Sequence, residues 1–283
     1  MRLERIPLRP DRGDVYLQAY WLENSPEFQA GMQRPVVIVC PGGGYCGTSD
    51  REAEPVALRF VAQGYHACVL RYSVMTPLPA PQIDLAKAIV TVRQRAAEHA
   101  LDTDRVIVCG FSAGGHLAAS LGVMWDKPYI YEAVGAAPVQ VRPDALILGY
   151  AVIDLELVAR PPLVGDPHTG QALPDTGILS AAFGEPQPAP ALVDPYRLDH
   201  LVSAATPPAF IWHTADDAVV PAESALRFAA ALARHHVPYE LHIFQTGVHG
   251  LSLADATTDS GGRFINPPVQ AWMPLVLEWL KRL

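Results

Sequence analysis

Residues 105–121 read RVIVCGFSAGGHLAASL. Arg105–Cys109 is a short β-branched run without polar alternation, the pattern of a strand buried on both faces. A tight turn follows, Gly110-Phe111-Ser112-Ala113-Gly114, and then an apolar helical stretch. A serine hydroxyl is a poor nucleophile, so it must be held exposed, beside a base and beside oxyanion donors. A sharp strand-to-helix turn does this, and glycines must flank it because larger side chains would meet the strand and the helix. The helix N-terminus favours negative charge developing there. A G-x-S-x-G also arises by chance in a Gly-, Ser- and Ala-rich chain, so the motif is read here through its strand–turn–helix context.

Working outward, the same alternation recurs. Val36–Cys40, His66–Tyr72, Ala145–Tyr150, Ala209–His213 and Glu240–Phe244 are further strand candidates, with Val15–Trp21 as an antiparallel edge strand. Helical stripes fall between them. Leu85, Ile89, Val92 and Ala96 share one face, as do Ala225, Phe228, Ala229 and Leu232. Glu52–Gln63 stops at Gly64, and a last helix begins near Pro267-Pro268 with Trp272, Val276, Trp279 and Leu283 in a stripe. Repeated strand-then-helix units predict a three-layer α/β domain with a mostly parallel central sheet and helices on both faces. Residues 154–206 interrupt the pattern. They hold 8 of the 27 prolines and show weak periodicity, and are expected to form a cap-like insertion over the strand ends. The strand–helix pattern resumes afterwards, so residues 1–283 are expected to form one domain.

Three further loops follow strand ends. After VVIVC comes Pro41-Gly42-Gly43-Gly44-Tyr45, where successive glycines let backbone N–H groups point inward as an oxyanion hole requires. Such a turn could also simply connect two elements, or cradle a phosphate, although no GxxxxGK[ST] is present. After AFIWH comes Asp216-Asp217, two carboxylates that could serve an active site or cap the helix starting near Glu223. After ELHIF comes His249, either a general base or an ordinary loop histidine. The chain order Ser, acid, His is that of a triad on an open α/β sheet, whose crevice lies outside the strand carboxyl ends.

These stretches, PGGGY (41–45), GFSAGGH (110–116), HTADDAVVP (213–221) and VHG (248–250), resemble the α/β-hydrolase superfamily over nearly the whole chain. Within it the chain is similar to the bacterial acetyl-esterase or acetyl-xylan-esterase-like branch, related to hormone-sensitive-lipase-type carboxylesterases. That resemblance implies a serine esterase acting on short-chain esters, including acetyl groups on carbohydrates such as xylo-oligosaccharides. It implies Ser112 as nucleophile, His249 as base and Asp217, rather than Asp216, as the acid, because Val220-Pro221 aligns with the family's turn. The oxyanion would be held by the N–H groups of Gly43, Gly44 and Ala113. Lipase-type relatives open their loop His-Gly-Gly-Gly, whereas Pro41 stands here. A lipase-like carboxylesterase, a peptidase and a non-catalytic ligand-binding protein are the alternatives on the same fold.

The remaining residues take plainer readings. Tyr45 and Cys46 follow the glycine loop and are expected to line the substrate pocket. His116, in the first turn of the elbow helix, is expected to pack that junction, and Trp272 and Trp279 to anchor the last helix in the core. Of the four cysteines, Cys40, Cys68 and Cys109 lie inside strand-like runs, where free cysteine behaves as a small hydrophobe. No CxxC or HExxH occurs, so no metal and no organic cofactor is expected. With 21 Lys+Arg against 29 Asp+Glu the net charge is −8, which argues against nucleic acid or an anionic membrane as partner. Half the residues are hydrophobic, which excludes disorder, and the longest apolar runs are strand-sized. The opening MRLERIPLRPDRGD lacks an apolar leader core, so the expected location is the cytoplasm.

Overall fold

A computed structural model of the chain describes residues 1–27, 29–159 and 177–283. Its centre is an eight-stranded sheet: β1 (Arg2–Pro7), β2 (Tyr16–Trp21), β3 (Arg34–Cys40), β4 (His66–Arg71), β5 (Leu101–Phe111), β6 (Ala145–Gly149), β7 (Ala209–Thr214) and β8 (Tyr239–Phe244). The strand order is β1-β2-β4-β3-β5-β6-β7-β8. β1 and β2 run antiparallel, β2 meets β4 antiparallel, and every other pair is parallel. The parallel strands β3, β5, β6 and β7 carry the continuous Val/Ile/Leu runs because both their faces are covered.

β3 shows how the covering works. Val36, Ile38 and Cys40 pack on one face with Leu85, Ile89, Leu117 and Phe228. Val37 and Val39 pack on the other with Phe60, Trp272, Val276 and Trp279. The first face is covered by α2 (Ala80–Gln94), α3 (Ser112–Met124) and α4 (Glu223–Arg234), and the second by α1 (Glu54–Val61) and α5 (Trp272–Leu280). Each large apolar side chain buried in this way contributes about 1.5–3 kcal/mol. From Ala113 to Met124 every residue of α3 is buried, so this helix is apolar all round rather than striped.

Two expectations change. β2 is not the edge strand, because β1 pairs outside it from Arg2↔Trp21 to Pro7↔Tyr16. RLERIP alternates charge with apolar residues and buries only Ile6, the composition of a protected edge and a weak strand signal. The helix expected from Glu52 starts instead at Glu54, after a 3₁₀ turn over Asp50–Glu52. That turn keeps Glu52 in the loop beside the strand ends, where its carboxylate has work to do.

Of the 154–206 excursion, residues 160–176 lie outside the described residues, and with them four of its prolines. The described parts form short helices at Leu155–Ala159, Ile178–Phe183 and Pro190–Val193. Buried Asp154 ties its start down, with Arg197 Nη2 at 3.3 Å and Arg227 Nη1 at 3.5 Å. Cys40, Cys68 and Cys109 are buried free thiols, and Cys46 is exposed. Among the described residues no helix is long and apolar enough to cross a membrane.

Candidate active site

Parallel pairing brings the strand carboxyl ends to one edge. Cys40 lies opposite Gly110, Phe111 opposite Gly149, Gly149 opposite Trp212, and Thr214 opposite Phe244. The loops leaving these ends are therefore neighbours, although they stand up to two hundred residues apart in the chain.

Ser112 begins α3 directly after β5, with φ of 52° in the left-handed region. A non-glycine residue holds that conformation only where its surroundings impose it. Here the imposition is close packing. A Cβ on Gly110 would lie 2.2 Å from the Gly114 oxygen, and one on Gly114 would lie 2.1 Å from the Cys40 oxygen. Both glycines of the motif are thus required by backbone contact.

His249 Nε2 lies 2.9 Å from Ser112 Oγ, and His249 Nδ1 donates to Asp217 Oδ2 at 2.8 Å. With Nδ1 protonated, the neutral imidazole presents Nε2 as an acceptor to the serine hydroxyl. The other oxygen of Asp217 accepts the amides of Val219 and Val220, each at 2.9 Å. The buried His213 stands 3.5 Å from Asp217 Oδ2. Burial alone would raise the Asp217 carboxyl, but His249 and His213 outweigh it and hold Asp217 well below the usual carboxylate range. For His249 burial favours the neutral ring, yet the charge and hydrogen bond of Asp217, with Glu52 adding, leave it above the usual imidazole value. Asp216 serves a different purpose: its Oδ1 accepts the Gly247 amide at 2.7 Å, holding the loop that carries His249.

The glycine loop borders the same space. Gly43 has φ of 134°, and a Cβ there would lie 2.4 Å from the Gly47 oxygen. The amides of Gly43 and Gly44 donate to no acceptor among the described residues, and both residues line a cavity of about 360 Å³. Ser112 and His249 line it too. Ala113 is buried in the first turn of α3, where its amide has no intrahelical acceptor, and it is not among the described residues lining the cavity. Val152, Val158, Ile178, Val219 and Val220 give the cavity apolar lining, and Ser49, Arg51, Glu52 and Arg263 give it polar lining. Val158 and Ile178 come from the excursion, so its described parts do reach the cavity.

Tyr45 and Cys46 sit elsewhere than expected. Tyr45 is 1% exposed, and its hydroxyl shares a 2.8 Å hydrogen bond with His116 Nδ1 behind the elbow. Cys46 is exposed, with its Sγ 3.8 Å from the Gly177 oxygen, and neither side chain is among the described residues lining the cavity. Burial pushes His116 down to about 4, so it is neutral and packs the junction as expected. Trp272 and Trp279 are core residues. Trp272 also donates from Nε1 to the Ser252 oxygen at 2.9 Å, steadying the loop after His249.

Sequence reading missed an inner layer. Glu52, 3% exposed, accepts the Gly42 amide on Oε2 at 2.7 Å and the Tyr150 hydroxyl on Oε1 at 2.6 Å. Tyr150 in turn accepts the Ser252 amide at 3.0 Å and packs edge-on against the His249 ring at 5.0 Å. These residues come from three connections far apart in the chain, and no local pattern joins them. The one available signal was an acid placed at the start of the first helix.

An open, mostly parallel sheet with a serine elbow, an acid and a histidine on successive loops at its carboxyl edge defines an α/β-hydrolase. Solved structures agree. A carboxylesterase from Lactobacillus plantarum, Cest-2923, superposes with a TM-score of 0.84 at 30% identity, covering 100% of this chain and 98% of that one. An acetyl ester-xyloside bifunctional hydrolase from Caldicellulosiruptor lactoaceticus is 36% identical with a TM-score of 0.78, covering 99% and 96%. Endo-1,4-beta-xylanase B of Butyrivibrio fibrisolvens is 32% identical over 235 residues, 81% of this chain, which spans about a third of that curated relative's length (34%). Residues 25–232 match the BD-FAE family, and the chain belongs to it, in the esterase branch of the α/β-hydrolases.

Proposed function

We propose that the chain is a serine esterase that hydrolyses short-chain carboxylic esters through an acyl-enzyme, with acetyl groups on carbohydrates as the substrate class. The observation that carries this reading is the unbroken relay from Ser112 Oγ through His249 to Asp217, opening on a cavity beside two glycine amides that donate to no acceptor among the described residues. Ser112 Oγ bonds to the acyl carbon while His249 Nε2 takes its proton, and the carbonyl oxygen becomes an oxyanion facing the amides of Gly43, Gly44 and Ala113. Each such donor is worth about 2.7–4 kcal/mol in the transition state. His249 then gives the proton to the departing alkoxide, and Asp217 stabilises the imidazolium between the two steps. Water repeats the attack on the acyl-enzyme, with His249 again as base, releasing the acid and restoring Ser112.

The cavity of about 360 Å³ is near the small end of ligand sites, and its apolar lining suits a short acyl chain. The carbohydrate part is supported by the xylan-related names of two of the similar proteins. In this reading residues 154–206 act as a cap on a single domain. The test is kcat/KM for p-nitrophenyl esters from C2 to C12 and for an acetylated xylo-oligosaccharide, with wild type and Ser112→Ala. Rates should be highest at C2–C4 and fall beyond about C4–C6, since a misfit methylene costs roughly 1–3 kcal/mol. Ser112→Ala should lose hydrolysis and fluorophosphonate labelling. An optimum at C8 or longer would favour a lipase-like enzyme, and labelling at another serine would refute the nucleophile.

A further inference from the structure

The lining of the cavity includes two guanidinium groups, Arg51 and Arg263, beside its apolar side chains. Arg51 reaches it from the 3₁₀ turn before α1, half-buried, with its guanidinium carbon 3.7 Å above the Phe264 ring. Its Nη1 donates to the Gly250 oxygen at 2.8 Å, and its charge is felt by the Asp259 carboxyl without a direct ion pair between them among the described residues. The neighbouring acid, Glu52, is turned the other way, its two oxygens accepting from Gly42 and Tyr150. A guanidinium has five N–H donors in a planar fork that matches a carboxylate in two parallel bonds. Stacking on Phe264 fixes the plane of that fork in advance, which lowers the entropy lost when an anion binds.

The position of Arg51 indicates which part of a substrate it meets. Gly250 directly follows His249, whose Nε2 hands the proton to the leaving alcohol in the mechanism above. Arg51 therefore lines the cavity beside the loop that carries the base, and because an acetyl group carries no carboxylate, an anion that Arg51 meets belongs to the alcohol part of the substrate. We propose that Arg51 is a specificity-determining residue that selects esters whose alcohol part carries a carboxylate, an acidic sugar being one such alcohol. The inference rests on the esterase reading and goes further, from ester to anionic ester.

The experiment compares two acetate esters of equal size, 4-acetoxybenzoate and 4-acetoxybenzamide, with p-nitrophenyl acetate as a common reference. The carboxylate-to-carboxamide ratio of kcat/KM should fall about tenfold or more from wild type to Arg51→Gln, a change equal to roughly 1.4 kcal/mol, and less in Arg51→Lys. Taking the ratio within each variant removes any general damage to the His249 loop, which would slow both esters alike. Raising the salt to about 0.5 M should compress the ratio more in wild type than in Arg51→Gln, where Arg263 still lines the cavity. As a measure that needs no variant, 4-hydroxybenzoate should inhibit wild type more tightly than 4-hydroxybenzamide, with salt weakening only the former. Equal ratios in wild type and Arg51→Gln, or equal inhibition by the two products, would overturn the proposal while leaving the esterase reading intact. Failure of wild type to hydrolyse any of the three esters would overturn the esterase reading itself, and this inference with it.

Discussion

Glu52 Oε2 accepts the Gly42 amide at 2.7 Å, so a buried carboxylate from the turn before α1 holds the first glycine of the loop that borders the cavity. Its other oxygen holds Tyr150, which packs on His249. A single side chain thus ties the proposed oxyanion loop to the proposed base. Related lipase-type loops begin with histidine, and here Pro41, which has no N–H, occupies that position.

Removing this tie should cost both stability and catalysis. Glu52→Ala leaves the Gly42 amide and the Tyr150 hydroxyl buried without an acceptor, at about 1–3 kcal/mol each. Glu52→Gln keeps one acceptor oxygen and should be the milder change. Expected losses in kcat on p-nitrophenyl acetate are about a hundredfold for Ala and about tenfold for Gln, on the scale of one misplaced oxyanion donor. A kcat within twofold of wild type in Glu52→Ala would mean that the loop holds its shape without this carboxylate.

The adjacent acids should behave unequally. Asp217→Asn replaces the acceptor for His249 Nδ1–H with an amide that can impose the wrong tautomer, so kcat should drop by up to about 10⁴. Asp216→Asn retains a carbonyl oxygen for the Gly247 amide and should cost less than about tenfold. Equal losses would place Asp216 in the chemistry.

The pH profile tests the electrostatics. His249 must be neutral to accept the serine proton, and its pKa in the folded protein is raised. A raised value keeps the ring protonated to higher pH, so kcat/KM should rise with pH along a limb above the usual imidazole value. Asp217→Asn removes the main raising contributions and should shift that limb to lower pH, and Glu52→Gln should shift it the same way by less. A limb at or below the usual imidazole value in wild type, measured from pH 5 to 9, would contradict this balance.

Gly114 is a test of the elbow's packing. Gly114→Ala puts a methyl group 2.1 Å from the Cys40 oxygen and 2.4 Å from the Pro41 oxygen, both backbone atoms. The elbow and the glycine loop must then move apart. Overpacking of this kind costs about 1–3 kcal/mol, so calorimetry should show Tm lower by several degrees. Because the shift separates Ser112 from the amides opposite it, activity should fall further than stability does. A variant with wild-type kcat/KM would show that the two loops need not touch.

What could be read along the chain was whatever the backbone periodicity and short loops encode locally. The apolar runs of β3, β5, β6 and β7 announce themselves because strands covered on both faces have no polar alternation to obscure them. G-F-S-A-G was legible because the elbow's demand for glycines falls within five consecutive residues, and the acid and histidine because each follows its strand directly. The choice of Asp217 needed Val220-Pro221, and the structure shows the physical counterpart, since Asp217 accepts the amides of Val219 and Val220 as it turns toward His249. Tertiary structure alone settled the rest. β1 is an edge strand with one buried side chain, and only its pairing with β2 makes it a strand. Tyr45 follows the glycine loop but is drawn behind it by His116, because a positive φ of 60° turns the chain at that residue. Glu52, Tyr150, Ser252 and Arg51 act on the site across separations of roughly one to two hundred residues. A hydrogen bond between such positions leaves no spacing for a sequence pattern to record, because its geometry exists only once parallel strand pairing has set the loops side by side.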